Sequence, residues 1–345
     1  MAMGGVPESE LAPIRRALTD GIVVETSGST ARPKRVDLSA NAIHASVAAT
    51  AAAIGEGGWV LALPLSYIAG IMVVARALVA GTPLVDLRAE PFVARRYADA
   101  VAALPVGRWF TSLVPAQLQR LVDLAERDAV VRTALTRFDR ILVGGQAIAP
   151  ELIDRAIELG ARVTKTYGSA ETAGGVVYDG HPIGDTRIRI DDGRVCIATS
   201  SLANGYLGDD AQTAEAFTVD TDGTRWWRTS DAGEFDGTTL RVSGRLDDII
   251  VTGGVKVSLG DIDRVLHDAN IDAVAGWFSD DEWGQVPGIV TTSEVELDVV
   301  RDLIETALGK AARPYRSVRV ESIPTLTSGK LDRRTVNEIV ARGHA

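Results

Sequence analysis

The first stretch whose residue types could do chemistry is a polar loop at residues 26–36. It reads Thr26-Ser27-Gly28-Ser29-Thr30-Ala31-Arg32-Pro33-Lys34-Arg35-Val36. We expect this loop to join a strand at residues 22–24 to a helix that begins after Ser39. Backbone N–H groups, hydroxyls and Lys34 would then surround an anion, so the loop is suited to hold phosphate. It lacks the order of a Walker A loop or a dinucleotide fingerprint, and an ordinary polar turn is the alternative.

Two further stretches could hold a nucleotide and its metal ion. Tyr167 and Gly168 end a predicted strand, and the carboxylate of Glu171 shortly after them could hold Mg2+ against phosphate oxygens. Gly144 and Gly145 end another predicted strand, where bare backbone would let a planar base approach. Tyr-Gly turns are common, so a structural turn is the alternative at each place.

Three residues in the second half of the chain could also take part in nucleotide chemistry. Asp231 could accept hydrogen bonds from both hydroxyls of a ribose, and Arg245 could donate to the same sugar or to a phosphate. Lys330 follows a glycine in a loop that precedes the terminal helix. Considered one at a time, solvated polar residues in surface turns are the alternative for all three.

The composition is that of a globular protein, with 46% hydrophobic and 24% charged residues and a net charge of −10. This negative balance disfavours nucleic acid as a partner, so a polyanionic ligand has to meet a local cluster of positive groups. The single cysteine, Cys196, excludes an internal disulfide, and the sequence has no Cys/His cluster with zinc-ligand spacing. The sequence shows no secretory signal, and Pro64 and Arg76 interrupt its longest apolar stretch. We therefore expect a cytoplasmic protein without membrane insertion.

The elements that must position these residues alternate between strand and helix. After a lead-in with one or two helical turns, strands are predicted at residues 59–63, 83–87, 108–111, 139–143 and 161–166, and helices at residues 39–54, 68–79, 91–103, 114–135 and 150–159. This alternation predicts a mainly parallel sheet covered by helices, with ligand sites at the carboxyl ends of its strands. Short strands at residues 187–190, 194–198, 225–228 and 239–242 predict a small antiparallel region, and an α+β domain follows.

Five collinear stretches resemble the core motifs of the adenylate-forming superfamily, which includes acyl- and aryl-CoA synthetases, adenylation domains of peptide synthetases and luciferases. They are the Ser/Thr/Gly-rich loop (residues 26–36), the Tyr-Gly-x-Thr-Glu motif (167–171), the ribose-binding aspartate motif (229–231), the hinge motif (244–254) and the catalytic lysine loop (324–333). The resemblance implies an α/β fold with a large adenylation domain at residues 1–246 and a small mobile α+β domain at residues 247–345. It also implies that the N-terminal subdomain is truncated relative to most members.

The resemblance implies a role for each matching residue. ATP would be bound by Thr26, Ser27, Gly28, Ser29, Thr30, Lys34, Gly144, Gly145, Tyr167, Gly168, Asp231 and Arg245. Glu171 would hold Mg2+, and Lys330 would bridge the substrate carboxylate and the α-phosphate while an acyl-adenylate forms. The small domain would then rotate about Asp247 and bring forward a tunnel for coenzyme A, lined by Gly253, Gly254 and Lys256.

The chain departs from the superfamily pattern at two positions. Ala31 stands where the phosphate loop usually has glycine, and Ala170 stands where the Tyr-Gly-x-Thr-Glu motif has threonine or serine. The missing hydroxyl removes one phosphate contact, for which Ser169 or Thr172 could compensate.

Within the superfamily, the early phosphate loop is typical of short actinobacterial-type o-succinylbenzoate-CoA ligases of menaquinone biosynthesis. Residues 63–70 resemble their Pro-Leu-x-His-x-x-Gly stretch, and residues 111–118 resemble their Ser-Leu-Val-Pro-Thr-Gln-Leu stretch. Tyr67 replaces the usual histidine, and a plain strand-to-helix turn is the alternative there. The predicted acyl pocket is bordered by Ser66, Tyr67 and Ser112, and the candidates for binding a second substrate carboxylate are Arg76, Arg108, Ser66 and Ser112.

These resemblances imply an ATP-dependent acid–CoA ligase that forms AMP and pyrophosphate, with o-succinylbenzoate as the first candidate acid. The expected small-molecule partners are a carboxylic acid, ATP with Mg2+, and coenzyme A, without nucleic acid. The alternatives are another aryl- or acyl-CoA ligase, a stand-alone adenylation enzyme that loads a carrier protein, and a degenerate AMP-binding protein. A homodimer is left open.

Overall fold

The structure is a computed structural model that describes residues 5–26, 33–89, 91–325 and 331–343. Its strands are β1 (Ile22–Thr26), β2 (Lys34–Leu38), β3 (Gly58–Leu61), β4 (Leu84–Asp86), β5 (Trp109–Leu113), β6 (Arg140–Gly144), β7 (Val163–Ser169), β8 (Gly174–Tyr178), β9 (His181–Pro182), β10 (Arg187–Asp191), β11 (Arg194–Ala198), β12 (Gly205–Tyr206), β13 (Phe217–Val219), β14 (Arg225–Phe235), β15 (Leu240–Arg245), β16 (Ile249–Thr252), β17 (Val255–Ser258), β18 (Ala273–Asp280), β19 (Gly284–Thr291) and β20 (Ser317–Arg319). Its α-helices are α1 (Glu8–Asp20), α2 (Ala40–Ile54), α3 (Ile68–Ala80), α4 (Ala94–Ala102), α5 (Pro115–Ala125), α6 (Ala129–Thr136), α7 (Pro150–Glu158), α8 (Asp210–Ala216), α9 (Leu259–Asp268), α10 (Leu297–Leu308) and α11 (Arg333–Arg342).

The described residues divide between two compact units. The first contains residues 1–189, 196–228 and 235–240, and the second contains residues 190–195, 229–234 and 241–345. The predicted boundary between residues 246 and 247 stays a prediction. Among the described ranges, no helix is long and apolar enough to cross a membrane.

A seven-stranded sheet with the order β4-β3-β5-β6-β7-β8-β9 dominates the first unit. Its strands from β4 to β7 run parallel, and β8 and β9 are antiparallel. Strands β3 and β5 are buried along their whole length, because helices cover both faces of a parallel sheet. The predicted α/β class and the alternation of strand and helix are thus confirmed. Gly81 ends α3 in the left-handed conformation.

The carboxyl edge of this sheet carries an irregularity. Gly144 pairs with Thr166, so the ends of β6 and β7 lie side by side. The register between β7 and β8 then shifts after Tyr167, because one residue of β8 has no partner on β7. A β-bulge of this kind bends a strand and re-aims the side chains that follow it.

The hairpin of β1 and β2 corrects one expectation. We predicted that the polar loop leads directly into a helix, but β2 comes first and pairs antiparallel with β1. The signal was the alternation in residues 34–38, where Val36 and Leu38 are fully buried between polar residues. The helix then begins as predicted, with Ser39 accepting a hydrogen bond from the N–H of Ala42 at 3.1 Å. Strand β12 completes this three-stranded sheet by pairing with β2.

Two helices also differ from expectation. Helix α1 is 13 residues long rather than one or two turns, since Ile14 and Ala17 bury one face of it despite the internal Pro13. The single helix predicted at residues 114–135 is two helices, α5 and α6. Asp128 is the N-cap that starts α6, because its side chain accepts hydrogen bonds from the first N–H groups of that helix.

Two further sheets contain antiparallel pairs of strands. One sheet has the order β10-β11-β14-β13, with β15 paired to β14. Its β13 and β14 pair antiparallel, as predicted for this region. The second unit contains a sheet with the order β17-β16-β19-β18, to which β20 adds in parallel. Helices α9 and α10 pack on this sheet through a core that includes Ile262, Leu266 and Ile304, and α11 packs through Val336 and Val340. This arrangement is the α+β fold expected for the C-terminal part.

Candidate functional site

Glu171 lies on a short turn that its neighbours hold rigidly. Strand β7 ends at Ser169, and residues 170–172 form one turn of 3-10 helix. The Ser169 hydroxyl accepts the N–H of Glu171 at 3.1 Å and donates to its Oε2 at 2.7 Å. Thr172 Oγ1 in turn accepts the N–H of Ser169 at 2.9 Å. These reciprocal bonds fix the direction in which the Glu171 side chain leaves the turn.

The Glu171 carboxylate is buried, and hydroxyl groups are its hydrogen-bond donors. The residue is only 7% exposed, and its Oε1 accepts a hydrogen bond from the Tyr206 hydroxyl at 3.0 Å. Glu171 forms no ion pair with any residue that the structure describes. Burial raises the pKa of Tyr206, and the adjacent Glu171 charge raises it further, so the phenol is the donor at neutral pH. Hydroxyl donors orient the carboxylate without pairing it with a positive charge, so it can still bind a cation.

Lys34 lies beside this carboxylate turn. It is the first residue of β2, and its ammonium nitrogen is 4.9 Å from the centroid of the Tyr206 ring. Thr26, its partner across the hairpin, ends β1. We predicted Lys34 in a loop, and the structure places it at the start of a strand. The predicted phosphate-binding residues Ser27, Gly28, Ser29 and Thr30 and the substituted Ala31 lie outside the described residues.

The predicted adenine-binding residues meet at the carboxyl edge of the large sheet. A Cβ added to Gly144 would lie 2.3 Å from Thr166 Oγ1, and one added to Gly168 would lie 2.1 Å from the carbonyl oxygen of Gly174. Both positions therefore exclude a side chain. Gly145 has a φ of +87°, a conformation that favours glycine. Tyr167 precedes the bulge and is half-buried.

The predicted acyl-pocket residues also lie at the carboxyl edge of the large sheet. Ser112 is buried near the end of β5, whereas Ser66 is exposed and Tyr67 is the residue before α3. Ser66 and Tyr67 come after the carboxyl end of β3, and Ser112 is the penultimate residue of β5, which pairs in parallel with β3. This is the edge where ligands of open α/β sheets bind.

The two candidate arginines have opposite surroundings. The Arg108 side chain is 56% exposed and donates to Asp139 at 2.6 Å and to the carbonyl of Ile54 at 3.0 Å. Arg76 on α3 is 6% exposed, and its Nε has no hydrogen-bond partner among the described residues. Burial lowers the pKa of Arg76, which is nevertheless cationic at any physiological pH. Arg108 is thus engaged in a structural contact, and Arg76 is the candidate for an anionic ligand.

The predicted ribose-binding and hinge residues belong to the second unit. Arg245 at the end of β15 donates from Nε to Asp247 Oδ1 at 2.8 Å, and the two side chains make a second bond. Burial tends to lower the pKa of Arg245, but Asp247, Asp231 and Asp248 raise it overall. Asp231 lies within β14, where its N–H donates to Thr229 Oγ1 at 2.9 Å. The structure therefore pairs Arg245 with the predicted hinge residue, a contact that the sequence did not indicate.

The remaining predicted residues lie on a hairpin and near a loop. Gly253 and Gly254 form the turn between β16 and β17 with φ values of +55° and +83°, and Lys256 is exposed on β17. Lys330 lies outside the described residues. The described ends of its stretch meet, since Thr325 and Leu331 form an antiparallel bridge.

Sequence reasoning missed Tyr206. No motif pointed to it, because its contacts with Glu171 and Lys34 depend on the pairing of β12 with β2. The sequence offered one local signal for this segment, a Gly-Tyr pair followed by Thr213. The Thr213 hydroxyl accepts the N–H of Tyr206 at 2.8 Å.

The donor set at Glu171 fits Mg2+. Mg2+ in nucleotide sites takes one or two carboxylates and keeps phosphate oxygens and waters as its other ligands. Among the described residues there is no cluster of three or more His, Cys, Asp or Glu side chains that could hold a metal ion by themselves. A single buried carboxylate beside Lys34 therefore suits a metal that arrives with a phosphate.

A parallel sheet with glycines at its carboxyl edge, a buried carboxylate and a nearby lysine defines a nucleotide-using enzyme. Residues 22–207 match the family model described as AMP-binding enzyme. The chain belongs to this family.

The relatives of the chain carry a consistent description. It is 34% identical over 325 residues to a probable 2-succinylbenzoate–CoA ligase of Mycobacterium tuberculosis, which covers 90% of this chain and 82% of that protein. It is 30% identical over 333 residues to the 2-succinylbenzoate–CoA ligase of Escherichia coli, covering 92% and 68% of the two chains.

Solved structures agree with this family. Wild-type E. coli MenE with a bound m-phenylether-linked analogue of OSB-AMS superimposes with a TM-score of 0.71 at 26% identity, covering 93% of this chain and 69% of that one. The Bacillus subtilis o-succinylbenzoate CoA synthetase in complex with OSB-AMP gives a TM-score of 0.80 at 23% identity, covering 92% and 68%, and shows the shared fold.

Proposed function

We propose that the protein is an ATP-dependent 2-succinylbenzoate–CoA ligase of menaquinone biosynthesis. It would form an acyl-adenylate with release of pyrophosphate and then a CoA thioester with release of AMP. The observation that carries the proposal is the Glu171 carboxylate, which is buried and forms no ion pair with the described residues. It lies in a chain that is similar along 90% of its length to a probable 2-succinylbenzoate–CoA ligase. A cytoplasmic location and a homodimer stay predictions.

The adenylation step sets the roles of the charged residues. Attack of a carboxylate on the α-phosphorus brings two anions together, so positive groups at the reacting atoms lower the barrier. Lys34 would bind the β- and γ-phosphates, and Lys330 would bridge the attacking carboxylate and the α-phosphate. Glu171 would hold Mg2+, which when bound neutralises charge on the phosphate oxygens. Asp231 and Arg245 would bind the ribose.

The thioester step would use other residues of the second unit. Asp247 would act as the hinge, and Gly253, Gly254 and Lys256 would line the path of the pantetheine arm. The two glycines suit this role because they have no side chains. Their positive φ values are ones that glycine adopts without strain. Arg245 would have to exchange its contact with Asp247 for one with the ribose, which links the hinge to nucleotide binding.

Arg76 would bind the substrate carboxylate that is not activated. Its guanidinium lies close to the turn that carries Glu171, since a Cβ built on Gly174 would be 3.9 Å from its Nη2. The side chain rests over the Trp59 ring at 5.1 Å. A buried guanidinium whose Nε lacks a partner is matched by a carboxylate, which can accept two parallel hydrogen bonds.

Arg76→Met tests this assignment, with Arg108→Met as the matched control. We expect the KM for 2-succinylbenzoate to rise roughly 30-fold in Arg76→Met, equivalent to about 2 kcal/mol for a lost charged hydrogen bond. The KM for ATP should stay within about twofold. Equal effects of the two substitutions on the KM for the acid would show that Arg76 does not contact the substrate.

Pyrophosphate release with ATP, Mg2+ and a panel of acids tests the proposed function directly. We expect CoA-dependent turnover with 2-succinylbenzoate, and loss of adenylation in Lys330→Ala by at least about 100-fold. Turnover with a different aryl acid would retain the mechanism and refute the substrate. Adenylation that free CoA does not convert to thioester would indicate a carrier-protein loading enzyme. Silence across the panel would indicate a degenerate AMP-binding protein.

A further inference from the structure

Tyr206 contacts both charged side chains of the first unit's site. Its hydroxyl donates to Glu171 Oε1 at 3.0 Å, and its ring lies under the ammonium of Lys34 at 4.9 Å. Strand β12 pairs Tyr206 with Val36, two residues after Lys34 on β2. One side chain thus touches a group proposed to hold the metal and a group proposed to bind the phosphates.

The Tyr206 ring is firmly held. The residue is 5% exposed, and its ring packs edge-on against Phe217 with centroids 5.7 Å apart. Arg225 stacks over Phe217 and donates to the carbonyl oxygens of Ala203 and Asn204, immediately before β12. The N–H of Ala203 also donates to the carbonyl oxygen of Glu171 at 2.8 Å. The segment that carries Tyr206 and the turn that carries Glu171 are therefore tied together through backbone and side chain.

The two contacts suit a positioning role. A carboxylate oxygen has two lone pairs, so the single hydrogen bond from Tyr206 leaves Oε1 a free lone pair for a metal. A neutral donor also orients the carboxylate without cancelling its charge, as partners of metal-binding carboxylates commonly do. Lysine has a long flexible side chain, and an aromatic face below the ammonium restricts where it can lie.

We propose that Tyr206 is a positioning residue that aligns Glu171 for Mg2+ through its hydroxyl and Lys34 for the ATP phosphates through its ring. This inference rests on the proposed nucleotide site but not on the identity of the acid. The two contacts use different parts of the side chain, so two substitutions separate them.

The test measures the dissociation constant of ATP by calorimetry without acid or CoA, once in chelator and once in saturating Mg2+. The ratio of the two constants reports how much the metal strengthens ATP binding. In Tyr206→Phe we expect this ratio to fall roughly 10-fold, the size of effect seen when a partner of a metal ligand is removed. The metal-free constant should be unchanged because the ring remains under Lys34. In Tyr206→Leu the metal-free constant should weaken as well, by roughly 3-fold or more.

Tyr97→Phe is the matched control. Tyr97 is also buried in the first unit, and its hydroxyl donates to Thr111 Oγ1 at 2.9 Å, away from Glu171 and Lys34. Tyr97→Phe should lower the melting temperature as Tyr206→Phe does, but it should leave unchanged the ratio of the ATP dissociation constants without and with Mg2+. If Tyr206→Phe lowers only the melting temperature, Tyr206 is structural and the inference is wrong. If Mg2+ strengthens ATP binding to the wild-type protein but no acid in the panel supports pyrophosphate release, only the ligase function is refuted. The role of Tyr206 is then still tested by the ratio of the two dissociation constants.

Discussion

The two units bury charge in opposite ways. In the first unit, Glu171 accepts hydrogen bonds from the hydroxyls of Ser169 and Tyr206 and forms no ion pair with a described residue. In the second unit, Arg333 at the start of α11 contacts Asp263 at 2.7 Å and Asp248 at 3.4 Å, and its side chain is only 19% exposed. A charge that is compensated inside its own unit serves the fold, whereas one left uncompensated is available to a ligand.

The second-unit cluster is an ion-pair network, in which the Nε of Arg333 has no hydrogen-bond partner among the described residues. Besides its contact with Arg333, Asp263 accepts the N–H of Ala275. Arg333 also donates to the carbonyl oxygen of Ala275. Burial would lower the pKa of Arg333, but Asp263 and Asp248 raise it overall, while burial raises the pKa of Asp263. These contacts connect α9, α11 and β18 with the turn that follows the predicted hinge.

The largest effect that separates the two regions is expected from Glu171→Gln. We expect adenylation to fall by about 100- to 1000-fold, since a neutral amide cannot hold a metal as a carboxylate does. The free energy of unfolding should change by no more than about 1 kcal/mol, because the substitution removes a buried charge that forms no ion pair with a described residue. Pyrophosphate release and urea unfolding measure the two quantities. A stability loss comparable to that of a broken ion pair would contradict the contrast between the units.

Arg333→Met should show the reverse pattern, with a smaller effect. It leaves the Asp263 carboxylate buried and unpaired, so we expect the second unit to lose about 2–4 kcal/mol of stability. Hydrogen exchange of peptides from residues 241–325 reports this unit separately from the first.

The loss should depend on pH. Without the guanidinium, the folded-state pKa of Asp263 rises further above its unfolded value, so the protonated form favours the folded state. Stability is then retained at low pH and lost as the pH rises through that pKa. As a control, Arg333→Met combined with Asp263→Leu removes both charges and should recover much of the loss. Equal losses in the single and double variants would show that the ion pair is not the cause.

Asp248→Asn should have the smallest effect. Its oxygen is 3.4 Å from Arg333, and Asp263 still compensates the guanidinium. We expect the unfolding free energy to fall by about 1 kcal/mol or less, with adenylation within about twofold. A larger loss of thioester formation than of adenylation would mean that this contact takes part in the step at the hinge, and the cluster would no longer be purely structural.

The sequence predicted those parts of the molecule that depend on local patterns. The apolar runs of β3, β5 and β6 and the N-cap at Ser39 were readable because burial and capping leave signals within a few residues. The α/β class and the positions of the parallel strands followed from them. The single helix predicted across Asp128 was wrong because the periodicity continues on both sides of the cap.

The rest of the site depends on pairings between distant segments. The second strand of the first hairpin was missed because the predicted loop already accounted for Lys34 and Arg35. Tyr206 was missed because a tyrosine becomes informative only when β12 is placed beside β2. Similarly, nothing in the sequence favoured Arg76 over Arg108, or the reverse, as the ligand for the second carboxylate. Burial distinguishes them, because the Arg76 side chain is buried and the Arg108 side chain is exposed.

The tie between β12 and the Glu171 turn has a consequence for the order of folding. The hydrogen bond from Tyr206 spans 35 residues of chain, and the pairing of β12 with β2 spans far more. Contacts of such sequence separation form late, because the intervening chain must first be ordered. An intermediate that contains only the parallel sheet would have the glycine edge without an aligned carboxylate or lysine. ATP with Mg2+ would then bind only to completely folded chains, and could serve as a reporter of the last step of refolding.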